Sequence, residues 1–255
     1  MKKCAFGWQE LEYLGCIITP NGVKVDQEKI QAMLNWSRPT NIFELRGFLG
    51  LTGYYRKFLR NYRVLARPLT ILLKKGQFCW NDEAEAAFAD LKNAMTSTPT
   101  LIMPNFDEPF IIESDASGDG IGAVLSQQGR LIAFMSRALG LSKHTWSTHA
   151  REMLAIVVTV QLWRPYLLGR KFLIQTDQHK LKYLLEQRIT TLEQQKWVSK
   201  LLRYKYEIVY KSGKENLAAN ALSRMTGSPC LTTLYVPQTQ VWNNIKEEVV
   251  SHPYM

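Results

Sequence analysis

Cysteine is scarce in this chain. Four residues, Cys4, Cys16, Cys79 and Cys230, stand far apart, with no Cys-x-x-Cys pair. That spacing argues against a zinc ribbon and a disulfide scaffold and fits a reducing, intracellular compartment. No apolar run approaches about 18 residues, so no membrane-spanning helix and no membrane partner is expected. Met1 to Phe6 lack the apolar core of a signal peptide. Histidine is equally sparse, at four residues, with none at the spacing of a zinc protease. There is no internal repeat and no low-complexity tract. Acidic side chains are the minority, 22 against 32 basic, for a net charge of +10. Residues 1–105 hold 14 basic and 9 acidic side chains, 106–224 hold 17 and 11, and 225–255 hold 1 and 2. A basic body with a near-neutral tail suggests a polyanion partner, and nucleic acid is the usual one. A globular protein that is merely basic fits the charge as well. What is present in quantity is apolar: 46% of 255 residues, against 21% charged. That is globular composition, enough for one large domain or two ordinary ones.

Residues 11–25 read as a hairpin, with a strand over 11–18, a Pro20-Asn21-Gly22 turn and a return through Val23-Lys24-Val25. Asp26 is placed to cap a helix carrying Ile30, Met33 and Leu34 on one face, and Pro39 stops it. Thr40 or Asn41 caps a second helix, with Glu44 three residues after Asn41, as a capping box requires. A short helix is predicted after Pro68, and another over 81–95 with Asp82, Glu83 and Glu85 near its positive end. Pro99 and Pro104 mark a boundary. Beyond it come a strand over 110–115, a glycine-rich turn at Gly118, Gly120 and Gly122, and strands over 123–126 and 131–134. A buried helix over 148–167 follows, then a strand over 172–176. Helices near 179–187 and 192–204, a strand over 206–210 and a short helix from Asn216 through Arg224 complete the pattern. This order predicts an α/β fold, a mixed five-stranded sheet with flanking helices. It is preceded by a smaller α+β hairpin-and-helices segment. The expected divisions are 1–103, 104–226 and a linker-like tail over 227–255, with one helix near 241–250.

Two aspartates, Asp115 and Asp177, end predicted strands. If those strands are parallel neighbours, both side chains leave the sheet at the edge where open α/β sheets build their ligand sites. Glu152, at the start of the buried helix, could point at the same spot. Three carboxylates around one point cannot all stay ionised without a cation, and a hard divalent ion such as magnesium suits oxygen ligands. Each residue also has an ordinary structural reading: Asp115 as a turn residue, Asp177 as a helix cap, Glu152 as an acid at a helix start.

Longer runs of residues carry a resemblance. Ser114-Asp115-Ala116-Ser117-Gly118-Asp119-Gly120-Ile121-Gly122-Ala123-Val124-Leu125 closely resembles the first strand of the ribonuclease H domain of gypsy-type long-terminal-repeat retrotransposons. Ala133-Phe134-Met135-Ser136-Arg137, Thr148-His149 with Glu152, the run from Thr176-Asp177-Gln178-His179 to Leu184, and Ala221-Leu222-Ser223-Arg224 are similar to later parts of that domain. In the first half, Tyr13-Leu14-Gly15, Gly22-Val23-Lys24-Val25-Asp26, Leu45-Arg46-Gly47-Phe48-Leu49-Gly50-Leu51 and Gly53-Tyr54-Tyr55-Arg56-Lys57-Phe58 resemble the thumb and connection that follow the polymerase palm. The tail around Val236-Pro237-Gln238 and Ile245-Lys246-Glu247-Glu248 resembles the linker before an integrase.

The resemblance implies a ribonuclease H fold and cleavage of the RNA strand of RNA–DNA hybrids. By motif position Asp115, Glu152 and Asp177 match the catalytic carboxylates, and Asn220 stands where the family places a fourth aspartate. Two magnesium ions are implied as cofactors, with manganese as a substitute. One ion would activate water and the other stabilise the leaving 3′ oxygen. Asparagine offers a neutral oxygen and offsets no metal charge, which favours weakened activity or, alternatively, a catalytically dead nucleic-acid-binding module. Glu215, five residues earlier, is a weak candidate substitute. No aromatic-x-Asp-Asp motif of a polymerase palm occurs, so DNA synthesis by this chain alone is not expected, and a palm and fingers segment would be a partner supplied elsewhere. The zinc-binding His/Cys cluster of an integrase does not occur either. His149 and His179 could touch substrate, though structural roles fit them better. Lys196, Lys200, Arg203 and Lys205, with Trp197 interleaved, could meet hybrid phosphates or form a solvated helix face. The glycines do not form a dinucleotide loop, because a β-hairpin follows them rather than a βαβ unit.

Overall fold

The computed structural model describes residues 8–223, apart from 75, 119, 141, 142, 144, 179, 180, 182–191, 213, 214, 217, 218, 220 and 221. Contacts gather Met1–Met225 into one compact unit, and every described residue lies in it. The expected helices near 179–187 and 241–250, and most of the last helix through Arg224, fall outside the described residues.

The first sheet is antiparallel, in the order β1-β2-β3, with β1 Leu11–Tyr13, β2 Cys16–Thr19 and β3 Gly22–Val25. The single strand expected over 11–18 is therefore two. Leu14 and Gly15 both take positive φ, 51° and 72°, and fold the segment back on itself. Positive φ at both residues makes a two-residue hairpin turn, and the Tyr54 and Tyr55 hydroxyls brace it by donating to the Leu14 and Gly15 carbonyls, each at 2.9 Å. An alternation pattern read over 11–18 cannot register partners forty residues away.

Helix starts follow the capping residues. Asp26 accepts from the Glu28 N–H at 3.0 Å and opens α1, Gln27–Leu34. Asn41 accepts from the Phe43 and Glu44 N–H groups at 3.0 and 2.9 Å and opens α2, Ile42–Tyr54. Glu44 reaches back to the Thr40 N–H at 2.8 Å, one residue further than in a standard capping box. Short helices α3 Tyr62–Leu65 and α4 Arg67–Ile71 lead to α5, Asp82–Thr96, capped by Asn81. Met33, Leu45, Phe48, Phe58, Leu69, Leu91 and Met95 meet in one core, all fully buried. Each such side chain contributes about 1.5–3 kcal/mol on leaving water.

The second sheet has five strands in the order β6-β5-β4-β7-β8: β4 Phe110–Ala116, β5 Gly120–Gln127, β6 Arg130–Ala138, β7 Lys171–Thr176 and β8 Lys205–Tyr210. The β4–β5 and β5–β6 pairs are antiparallel, while β4–β7 and β7–β8 are parallel. Gln128 and Gly129, at φ 50° and 72°, form the tight β5–β6 turn. The helix α6, Thr148–Leu162, starts at Ser147, whose hydroxyl accepts from the Ala150 N–H at 3.2 Å. It buries Met153 to Val157 and Val160 against the sheet core. The helix expected over 148–167 breaks at Trp163 and resumes as α7, Arg164–Leu167, because Pro165 has no N–H to continue the ladder. Helix α8 spans Leu192–Leu201.

The segment after α5 stitches the two sheets together. Leu101 exchanges hydrogen bonds with Val23 at 2.6 and 2.8 Å, and the Ile102 N–H donates to Leu131 O at 2.8 Å.

Gly120 and Gly122 belong to β5 rather than to the turn expected from the sequence. A Cβ on Gly122 would meet Ala219 O at 2.4 Å and the Ser223 N at 2.5 Å. Glycine thus lets Ala219, Leu222 and Ser223 press onto β5. Gly122→Ala is expected to lower stability by about 2 kcal/mol or more, because rigid backbone must move to relieve the clash. Comparing denaturant midpoints of the two chains checks this, and an unchanged midpoint would show that the close approach is not needed for stability.

Candidate metal centre

Strand alternation sets the starting point. Phe110, Ile112 and Ala116 face the α6 side and join its core, so Asp115 projects from the opposite face of β4. The β4–β7 register runs from Phe110 opposite Phe172 to Glu113 opposite Gln175. Continued two residues, it brings Asp115 abreast of Asp177, the first residue past β7. Parallel pairing therefore delivers both aspartates to one sheet edge. Glu152 is the fifth residue of α6, one turn further in than the sequence suggests. Its Oε1 accepts from the Ala116 N–H at 2.8 Å, which ties the helix to the strand end.

One carboxylate oxygen from each of Asp115, Glu152 and Asp177 lies within 4.8 Å of the others. Asp115 is 4% exposed and Glu152 1%, while Asp177 is half-buried. Burial, then the Asp115 charge and the Asp177 charge, push the Glu152 carboxyl up to about 9, against the lowering effects of the Ala116 N–H and of Arg151. Its Oε2 is buried and has no hydrogen-bond partner among the described residues. Three hard oxygen donors, one of them an orphaned buried atom, fit a divalent cation.

A residue the sequence reading did not single out completes the centre. The Ser223 hydroxyl donates to Asp115 Oδ2. Ser117 Oγ donates to Ser223 O at 2.5 Å, and Asn216 Nδ2 donates to Ser114 O at 3.1 Å. These bonds hold the chain after β8 against β4 and β5, where Gly122 stands opposite Asp115. Periodicity gives no signal for Ser223, which entered only as one letter of Ala221-Leu222-Ser223-Arg224.

The other candidates scatter. Asn220 and His179 lie outside the described residues. His149 is half-buried in the first turn of α6. Glu215 is exposed in a turn whose N–H donates to Ser212 O. Lys196 and Lys200 are exposed on α8, while Trp197 is buried and packs on Trp146 at 5.4 Å.

Residues 80–174 match the family described as the RNase H-like domain found in reverse transcriptase. Over 227 residues the chain is 41% identical to the retrovirus-related Pol polyprotein from transposon 297 of Drosophila melanogaster, covering 88% of this chain and 21% of that one. To the corresponding polyprotein from transposon gypsy it is 36% identical over 237 residues, 88% of this chain and 23% of that one. The chain belongs to the retrovirus-related Pol family of gypsy-type transposons. It spans about a fifth of the length of these Pol polyproteins. Among solved structures, a foamy viral protease-reverse transcriptase in complex with RNA/DNA hybrid matches 83% of this chain and 30% of its own. The TM-score is 0.74 and the identity 20%. That similarity concerns the fold, and the five-stranded sheet with its helices is RNase H-like. Within this Pol-family chain, the acidic cluster lies at the shared edge of β4 and β7.

Proposed function

We propose that residues 104–226 act as a metal-dependent endonuclease that cuts the RNA strand of RNA–DNA hybrids. Residues 1–103 would be the thumb and connection segment of a reverse transcriptase. The observation that carries this reading is the convergence of Asp115, Glu152 and Asp177 on one point at a sheet edge. Membership of the Pol family and the RNase H-like fold support it. The three carboxylates would hold magnesium, or manganese in its place. When bound, such a cation supplies Lewis acidity toward a phosphodiester and lowers the pKa of water beside it. The chain's own groups do the rest. The Ser223 hydroxyl and the Ala116 N–H orient two of the carboxylates, and burial of Glu152 keeps bulk water from its side chain. The net charge of +10 favours a polyanionic substrate.

Asn220 favours a second reading, a module that binds hybrid without cutting it. A hybrid labelled separately on each strand distinguishes the two. With magnesium or manganese, the first reading gives RNA fragments and an intact DNA strand, and the second gives retention without fragments. Failure to bind hybrid at all would exclude both. If Asn220 stands at the second cation position, Asn220→Asp should lower the magnesium needed for half-maximal cleavage about tenfold, equivalent to about 1.4 kcal/mol. A magnesium titration of both chains checks this. An unchanged requirement would remove Asn220 from the site.

A further inference from the structure

The β4–β7 pairing ends at Glu113 opposite Gln175, two residues before the aspartates. Beyond it, carboxylate repulsion in the cation-free site pushes Asp115 and Asp177 apart, and side chains have to resist it. Lys211 stands first past β8. Its Nζ lies 2.9 Å from Glu113 Oε2, and the two side chains are 24% and 18% exposed. Every other ion pair among the described residues is more exposed, at 37% or above. A pair withdrawn from solvent is screened less than a surface pair and contributes more.

Strand register shows what this pair spans. Thr176 pairs with Tyr210, and the Lys211 N–H donates to Thr176 O at 2.9 Å, so Lys211 falls abreast of Asp177. Ile112, Ile174 and Ile208 enter the core on the α6 side. Glu113, Gln175, Asp177 and Lys211 therefore project from the other face, together with Asp115. Sheet order sets β7 between β4 and β8. The ion pair thus crosses β7 between Gln175 and Asp177, over two strand spacings, about 10 Å. The chain that continues from Lys211 holds the next two β4 residues as well. Asn216 Nδ2 donates to Ser114 O at 3.1 Å, and the Ser223 hydroxyl donates to Asp115. Of these ties, the ion pair is the one that passes beside Asp177.

We infer that Glu113 and Lys211 are positioning residues for the cation site. Their ion pair straps β4 to the end of β8 across β7, holds Asp177 beside Asp115 against carboxylate repulsion, and so sets the affinity for a divalent cation. Both act through the two aspartates and neither is a ligand. This inference rests on the reading of Asp115, Glu152 and Asp177 as a cation site.

The test is manganese binding by the full chain without nucleic acid, followed through the electron paramagnetic resonance signal of the free ion. The chains are the parent, Glu113→Gln, Lys211→Gln, the double variant and Lys211→Arg. Lys171→Gln is the control, because Lys171 pairs with Glu207 at 3.6 Å at the other end of β7. Each glutamine single should weaken binding about tenfold, as loss of a group that orients metal ligands does. The double variant should lose no more than either single, since one broken partner already releases the strap. Lys211→Arg keeps the ion pair and should keep the parent affinity, and the control should match the parent. A role through charge alone gives a different pattern: Lys211→Gln removes a cation and would tighten binding, while Glu113→Gln would weaken it. That pattern, or parent affinity in both singles, would overturn the strap and leave the cation site intact. Circular dichroism checks each fold, and Glu113→Gln, which is nearly isosteric, decides the matter if Lys211→Gln does not fold. A parent chain that binds no manganese would overturn both the strap and the cation site.

Discussion

Asp115→Asn is expected to abolish hybrid cleavage, by a thousandfold or more, with either magnesium or manganese. Asp115 stands opposite Gly122 and abreast of Asp177, with one oxygen within 4.8 Å of both other carboxylates. At an effective dielectric of about 20, a unit charge about 4 Å from a cation is worth roughly 4 kcal/mol of gross attraction. A loss of that size at the transition state is about a thousandfold in rate. The carboxamide oxygen can still accept from the Ser223 hydroxyl, so the chain near 219–223 should stay docked and hybrid should still bind. Single-turnover cleavage, with binding measured alongside, checks both halves of the prediction. Cleavage within tenfold of the parent would show that Asp115 stands outside the reacting centre.

Glu152→Gln should change stability in the opposite sense from most core substitutions. The Glu152 carboxyl is raised from 4.5 to about 9 by burial and by the Asp115 and Asp177 charges. For an acid raised in this way, the neutral form stabilises the fold. That contribution is complete below about pH 4.5 and is lost as pH climbs towards 9. The cation-free parent should therefore become progressively less stable across that window. Glutamine is neutral at every pH, fills nearly the same volume and keeps an oxygen for the Ala116 N–H. At pH 8, 3.5 units above the ordinary value of 4.5, the variant should be more stable than the cation-free parent by up to roughly 5 kcal/mol, at about 1.4 kcal/mol per unit. At pH 4 the two should converge. Urea unfolding in chelator across this range tests the prediction, and parallel pH profiles would show that Glu152 does not carry the titration. The same substitution should cost cleavage, so a gain in stability with a loss of activity marks the site as built for a cation.

Much of this arrangement is legible in the sequence, for identifiable reasons. The strand ends at Asp115 and Asp177 are visible because apolar runs stop at each and turn residues follow. The caps at Asp26, Asn41 and Asn81 use short-range chemistry that three or four letters contain. The break at Pro165 is equally local, but the apolar run on either side of it masks it. What periodicity does not contain is long-range. Tyr54 and Tyr55 brace the Leu14-Gly15 turn through its carbonyls from forty positions away. Gly122 looks like a turn residue until the chain near 219–223 is seen against it. Ser223 reaches Asp115 across 108 positions. Parallel pairing of β4 with β7 appears in the sequence only as a condition, and the structure meets it.

Asp115, Glu152 and Asp177 are expected to form one cation site in which Glu152 is protonated until the ion arrives. Calorimetric titration of manganese at pH 7.5, in buffers of different ionisation enthalpy, counts the protons released on binding. The expected result is saturable binding with close to one proton released per chain, and almost none released by Glu152→Gln. Binding that releases no proton from the parent, or the same number from both chains, would contradict it.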